Sequence, residues 1–162
     1  MTEIVAATKS ADDTRELAAA VADGARPGDV ILLSGDLGAG KTTFTQGFGR
    51  GLGVPERITS PTFTLLQTYV GRLKLVHVDV YRLERLQEIV DLGLPEFLDD
   101  GAVALIEWGE AASPVLANDF MRIRIGFGAA DDDRTFSLET VGASWAGRPT
   151  RLNTALERWV VA

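Results

Sequence analysis

The chain has 162 residues, a hydrophobic share of 46%, a charged share of 24% and a formal net charge of −7. These values point to one globular domain over residues 1–162, and the acidic balance excludes a general basic surface for nucleic acid. Cysteine is absent, which excludes disulfides, thiolate metal sites and cysteine nucleophiles.

Glu3 to Thr8 predicts a short strand, and "SADDTRELAAAVADGA" predicts a helix. Ser10 and Asp13 make a capping-box pattern, and Leu17 and Val21 open its apolar face. Pro27 and Gly28 are the expected stop. "DVILLSG" is an apolar run of strand length that suits burial on both faces. A helix from about Gly40 to Leu52 follows, with Phe44, Phe48 and Leu52 as its apolar stripe. Gly47, Gly49 and Gly51 weaken that helix by about 1 kcal/mol each, so close backbone approach to a sheet is expected there.

Further on, "TFTLLQTYV" and "LKLVHVDVY" predict strands joined at Gly71-Arg72, "ERLQEIVDLGL" a helix, and Pro95 to Asp100 another. "AVALIEW" predicts a buried strand. "FMRIRIGF" alternates, with Met121, Ile123, Ile125 and Phe127 on one face, and is expected to pair with "RTFSLETV" across the acidic turn Asp131 to Asp133. In the tail, Leu152, Leu156, Trp159 and Val160 predict one helical face docked on the core. Helices and strands alternate early and strand pairs dominate later. The expected fold is therefore α/β: a three-layer, P-loop NTPase-like sandwich whose mixed sheet has an antiparallel part. No apolar run approaches the roughly 18 to 20 residues of a membrane helix. The start lacks the basic-then-apolar order of a signal peptide, so a cytoplasmic protein without membrane contact is expected.

Gly35 to Thr42, "GDLGAGKT", fits G-x-x-x-x-G-K-[ST], between an apolar strand and a helix. Such glycines let successive N–H groups turn toward phosphate oxygens, and the helix adds its positive end. Asp36, Leu37, Gly38, Ala39, Gly40, Lys41, Thr42 and Thr43 are thus the expected phosphate cradle. Lys41 is expected to neutralise β- and γ-phosphate charge, and the Thr42 hydroxyl to ligate Mg²⁺. No N-K-x-D guanine motif is present, which favours ATP.

Nucleotide hydrolysis needs a carboxylate at a strand end beside the loop. Asp79 in "LVHVDVYR" and Glu107 in "VALIEW" are the candidates, each with an ordinary ion pair as its alternative. Strand alternation sets His77, Asp79 and Tyr81 on one face. His77, the sole histidine, is open to two readings, a catalytic base or a hydrogen-bonded structural group. "ITSPTFT", with Thr59, Ser60, Thr62 and Thr64, is either a γ-phosphate sensor or a routine strand entry.

Four motifs in order, "GDLGAGKTTFTQGFGRGLG", "ITSPTF", "HVDVYRL" and "LIEWGE", resemble the TsaE (YjeE) family, P-loop ATPases of bacterial tRNA N6-threonylcarbamoyladenosine modification. The resemblance runs from about Asp29 to Glu110 and continues in spacing to "DDRTFSLE". It implies a small α/β fold, weak ATPase activity with ATP and Mg²⁺, and action on TsaB and TsaD, with tRNA reached only through those partners. It implies that Lys41 and the loop hold ATP, that Thr42 and Glu107 take the magnesium positions, and that Asp79 serves hydrolysis. By the same resemblance Thr62 belongs to a switch-like loop, Trp108 is an active-site tryptophan and Arg134 lies near the nucleotide. Two other readings of the P-loop stand beside it, a small-molecule kinase and a non-catalytic ATP-dependent docking switch.

Overall fold

Seven strands form one mixed sheet in the computed structural model, which describes residues 2–36, 38–59, 66–80, 83–108 and 119–161. In chain order the elements are β1 (Thr2–Thr8), α1 (Ala11–Asp23), β2 (Val30–Gly35), α2 (Lys41–Gly51), β3 (Leu66–Val70), β4 (Lys74–Val80), α3 (Leu83–Asp91), α4 (Leu94–Asp99), β5 (Val103–Trp108), β6 (Phe120–Phe127), β7 (Arg134–Val141) and α5 (Arg148–Ala155). The strand order is β1-β7-β6-β2-β5-β4-β3. β2 lies parallel to β5 and β6, and β5 parallel to β4, while β1, β7 and β3 pair antiparallel. The parallel centre with antiparallel flanks is the mixed sheet that the sequence predicts.

Strand alternation divides the core. Ile31, Leu33, Leu75, Leu105 and Ile123 pack with Leu17 of α1 and with Phe44 and Phe48 of α2 on one face. Val30, Leu32, Val76, Val78, Ala104 and Ile106 face Ile89 of α3 and Leu94 of α4 on the other. Helices therefore cover both faces, which is why β2 reads as a continuous apolar run.

α1 starts as expected: the Ser10 hydroxyl accepts from the Asp13 N–H at 3.0 Å, while the Asp13 carboxylate turns back to the Lys9 N–H at 3.0 Å. It ends at Asp23, capped by Gly24, ahead of the Pro27-Gly28 stop. The tail departs further from expectation. Only Leu152 of its four apolar residues lies within α5. Beyond it the chain runs along β1, with Ala7 N–H donating to Trp159 O and Val161 N–H to Val5 O, both at 2.9 Å. The tail thereby pairs with backbone groups on the open edge of β1, and Leu156 and Trp159 are still buried.

The α2 glycines also correct an expectation. A Cβ on Gly47 would overlap the carbonyl oxygen of Arg15, and one on Gly51 would lie 2.7 Å from that of Ala19. Both residues approach the backbone of α1, not the sheet; Gly49 alone turns toward Ile58 and Leu75. Gly47→Ala gains about 1 kcal/mol of helix propensity but forces two backbones apart, an overpacking cost of about 1–3 kcal/mol. Urea denaturation is expected to show net destabilisation; a more stable variant would show that the helices tolerate the methyl group.

Candidate functional site

The loop from Gly35 to Gly40 joins the end of β2 to α2. Gly38 (φ 83°) and Gly40 (φ 111°) adopt a left-handed backbone that L side chains resist, and no heavy atom lies within 4 Å of a Cβ built on either. The glycines are thus demanded by conformation and leave open space on the loop. Gly40 caps α2 without any side-chain cap bond, so the first-turn N–H groups receive no side-chain acceptor from the cap. Lys41 folds back over the loop, its Nζ donating to Gly35 O at 2.8 Å. Thr42 and Thr43 follow on the first turn of the helix. Asp36 is exposed, and its carbonyl closes the turn by accepting from the Ala39 N–H at 3.0 Å.

Arg134, the first residue of β7, clamps this loop to the β6–β7 turn. Its Nε donates to Ala39 O at 2.9 Å, and its Nη1 to the carbonyls of Asp131 and Asp133 at 2.7 and 2.8 Å. Its guanidinium lies over the Phe127 ring at 4.9 Å, and this aromatic is exposed although Met121, Ile123 and Ile125 on the same strand face are buried. Arg134 also borders a cleft of about 100 Å³ with Ser10, Ala11, Thr14, Gly38, Gly40, Thr43 and Asp132. Ser10, Ala11, Thr14 and Asp132 are absent from the sequence-derived site. Ser10 reads as a helix cap and Asp132 as a solvated turn, and the β1–β7 pairing brings both beside the Gly35–Gly40 loop.

The carboxylates meet on neighbouring strands. Asp79 of β4 is in register with Glu107 of β5, which is in register with Leu33 of β2. Since Leu33, Leu75 and Leu105 face α2, alternation sets His77, Asp79 and Glu107 on that same side, at the carboxyl ends of parallel strands. Glu107 and His77 are buried, and His77 Nε2 donates to Glu107 Oε2.

Burial is the main cause that pushes the Asp79 carboxyl above its ordinary range; the charge of Glu107 adds to it, and His77 and Lys41 oppose it. The folded chain therefore holds this proton more tightly than the unfolded chain does. Stability falls as pH rises from the unfolded pKa through the raised folded one. Asp79→Asn is thus expected to raise the thermal midpoint of the ligand-free protein at neutral pH, with the gain disappearing on the acid side of the ordinary carboxylate range. A midpoint unchanged at neutral pH would show that the carboxylate is not destabilised there.

Gln46 of α2 ties the site to the segment entering "TSPTF", its Nε2 donating to Ile58 O at 3.0 Å. Leu37, Ser60, Thr62, Thr64 and Tyr81 lie outside the described residues. Trp108 closes β5 by its backbone, and its side chain is likewise outside the description. No helix among the described residues is long and apolar enough to cross a membrane.

The family model for the threonylcarbamoyl adenosine biosynthesis protein TsaE matches residues 8–136. A tRNA threonylcarbamoyladenosine biosynthesis protein TsaE from Bacillus subtilis is 44% identical over 136 residues, covering 83% of this chain and 84% of that relative. The protein of the same description from Streptomyces coelicolor is 43% identical over 139 residues, covering 82% and 93%. The crystal structure of Bacillus subtilis YdiB superposes with a TM-score of 0.73 at 37% identity, covering 97% of this chain and 95% of that one.

Proposed function

The chain belongs to the TsaE family, and from that premise we propose that it is the ATP-binding, weakly ATP-hydrolysing component of the tRNA threonylcarbamoyladenosine machinery, acting on a TsaB–TsaD complex to support its turnover. The observation that carries this reading is the phosphate loop with its glycines at positive φ, set beside two carboxylates in register on the adjoining strands.

Phosphate oxygens entering the loop meet the N–H groups of the first turn of α2 and the Lys41 ammonium, which exchanges its bond to Gly35 O for one to phosphate. Asp79, half-buried and with its proton affinity raised, is suited to orient the attacking water and take up its proton. The Thr42 hydroxyl and the Glu107 carboxylate are hard oxygen donors of the kind Mg²⁺ takes. Among the described residues no three acidic or histidine side chains form a metal cage, so an ion here draws its remaining ligands from phosphate and water. Thr42 and Glu107 would hold Mg²⁺, which when bound neutralises charge on the β- and γ-phosphates. Arg134 keeps the loop seated against the β6–β7 turn. The net charge of −7 argues for protein partners, with tRNA reached only through them.

The test is ATP turnover and product analysis with the chain alone and with a TsaB–TsaD complex. Slow release of free phosphate that the complex accelerates is expected. Turnover indifferent to the complex would remove the partner role, and a phosphorylated metabolite would establish a kinase instead. Full partner-dependent function in Asp79→Ala without hydrolysis would favour the docking switch.

A further inference from the structure

We propose that His77 is a positioning residue for Glu107, holding one carboxylate oxygen so that the other faces the phosphate loop; this rests on the nucleotide reading above. His77 is fully buried, between Val76 and Val78 on a strand whose register sets it opposite Leu105. Its Nε2 bonds to Glu107 Oε2, while its Nδ1 has no partner among the described residues. A carboxylate only accepts, so Nε2 carries the proton of this bond. A buried imidazole kept for packing alone gains by bonding both nitrogens or by being replaced with an apolar residue. Here one nitrogen has no partner among the described residues and the other is spent on the strand-end carboxylate of β5, beside β2.

The consequence is geometric. With Oε2 held from β4, the Glu107 carboxyl cannot rotate freely, and Oε1 is presented in one orientation. Outer residues that orient a metal-binding group commonly change metal affinity by about 10- to 100-fold when lost. His77 thus tunes how Glu107 receives Mg²⁺ without itself touching nucleotide or metal.

Two variants of equal chemistry separate positioning from packing. In His77→Gln the amide nitrogen falls where Nε2 lies, whereas in His77→Asn it reaches only the place of Nδ1, short of Glu107. The probe is the fluorescent nucleotide mant-ADP, titrated without metal and across Mg²⁺ concentrations, with thermal midpoints recorded. For H77N the Mg²⁺ concentration at half effect is expected to rise about tenfold or more, with H77Q within about threefold of wild type. Metal-free mant-ADP affinity is expected to be unchanged in both. H77L replaces H77N should the latter not fold. Wild-type Mg²⁺ dependence in the variant lacking the donor overturns the proposal. So does equal impairment of both amide variants at wild-type thermal midpoints. A wild-type chain that binds mant-ADP without any effect of Mg²⁺ overturns the metal reading of Glu107, and the role of His77 falls with it.

Discussion

Lys41→Ala is expected to lower affinity for a fluorescent ATP analogue roughly 100-fold and to reduce ATP turnover to background, while the thermal midpoint stays near that of the wild type. A charge-assisted hydrogen bond contributes about 1.5–3 kcal/mol, and each 1.4 kcal/mol is tenfold in affinity. On the proposed reading Lys41 serves both the β- and the γ-phosphate, so the upper end of that range applies. Among the described residues its Nζ donates to Gly35 O, at the half-buried mouth of the loop and outside both apolar cores. Removing it is therefore expected to weaken phosphate recognition and to spare the fold. Wild-type affinity in this variant would show that nucleotide binds elsewhere.

Arg148→Leu is expected to destabilise the fold by about 3–5 kcal/mol, a loss on the order of 10 °C in thermal midpoint by circular dichroism. Arg148 and Asp29 form a buried two-point ion pair, Nη1 to Oδ1 at 2.9 Å and Nη2 to Oδ2 at 2.6 Å. The same guanidinium donates to Gly24 O at 3.0 Å and lies over the Trp145 ring at 3.8 Å. Among the described residues, leucine leaves the buried carboxylate with the Arg26 N–H, at 2.8 Å, as its remaining donor. The double variant Asp29→Asn/Arg148→Met should recover much of the loss, because it removes the stranded charge along with its partner. Nucleotide affinity of the folded single variant should stay at the wild-type value, since this pair lies at the start of β2 and the phosphate loop at its end. A destabilisation below about 1 kcal/mol would place Arg148 among surface ion pairs of little consequence.

These two residues differ in how far the sequence reveals them. Lys41 lies in a contiguous motif whose Gly38 and Gly40 are demanded by a left-handed backbone, so eight adjacent letters make the loop legible. Arg148 sits in a stretch with no motif, and its partner is 119 residues away. Nothing in "GRPTRLN" announces a buried guanidinium. Between these extremes stand Asp79 and Glu107. Each is visible as a carboxylate ending an apolar run, but their adjacency follows from the pairing of β4 with β5. The α2 glycines are of the same kind: close approach is legible from their cost to the helix, whereas the surface approached is not. The sequence favours the sheet, whereas Gly47 meets the backbone of Arg15 in α1 and Gly51 meets Ala19 and Ala22 there.

By itself the sequence determined the class of fold, the glycine loop between β2 and α2, the alternating faces of the strands and the family, because each depends on periodicity or on residues close together in the chain. Only the tertiary structure decided that His77 holds Glu107, that Arg134 clamps the loop, that Asp29 pairs with Arg148 and that the tail covers the edge of β1. The physical reason is common to all four. Each contact joins residues at least 30 positions apart, and a hydrogen bond depends on positions to a fraction of an ångström that strand order and helix docking set.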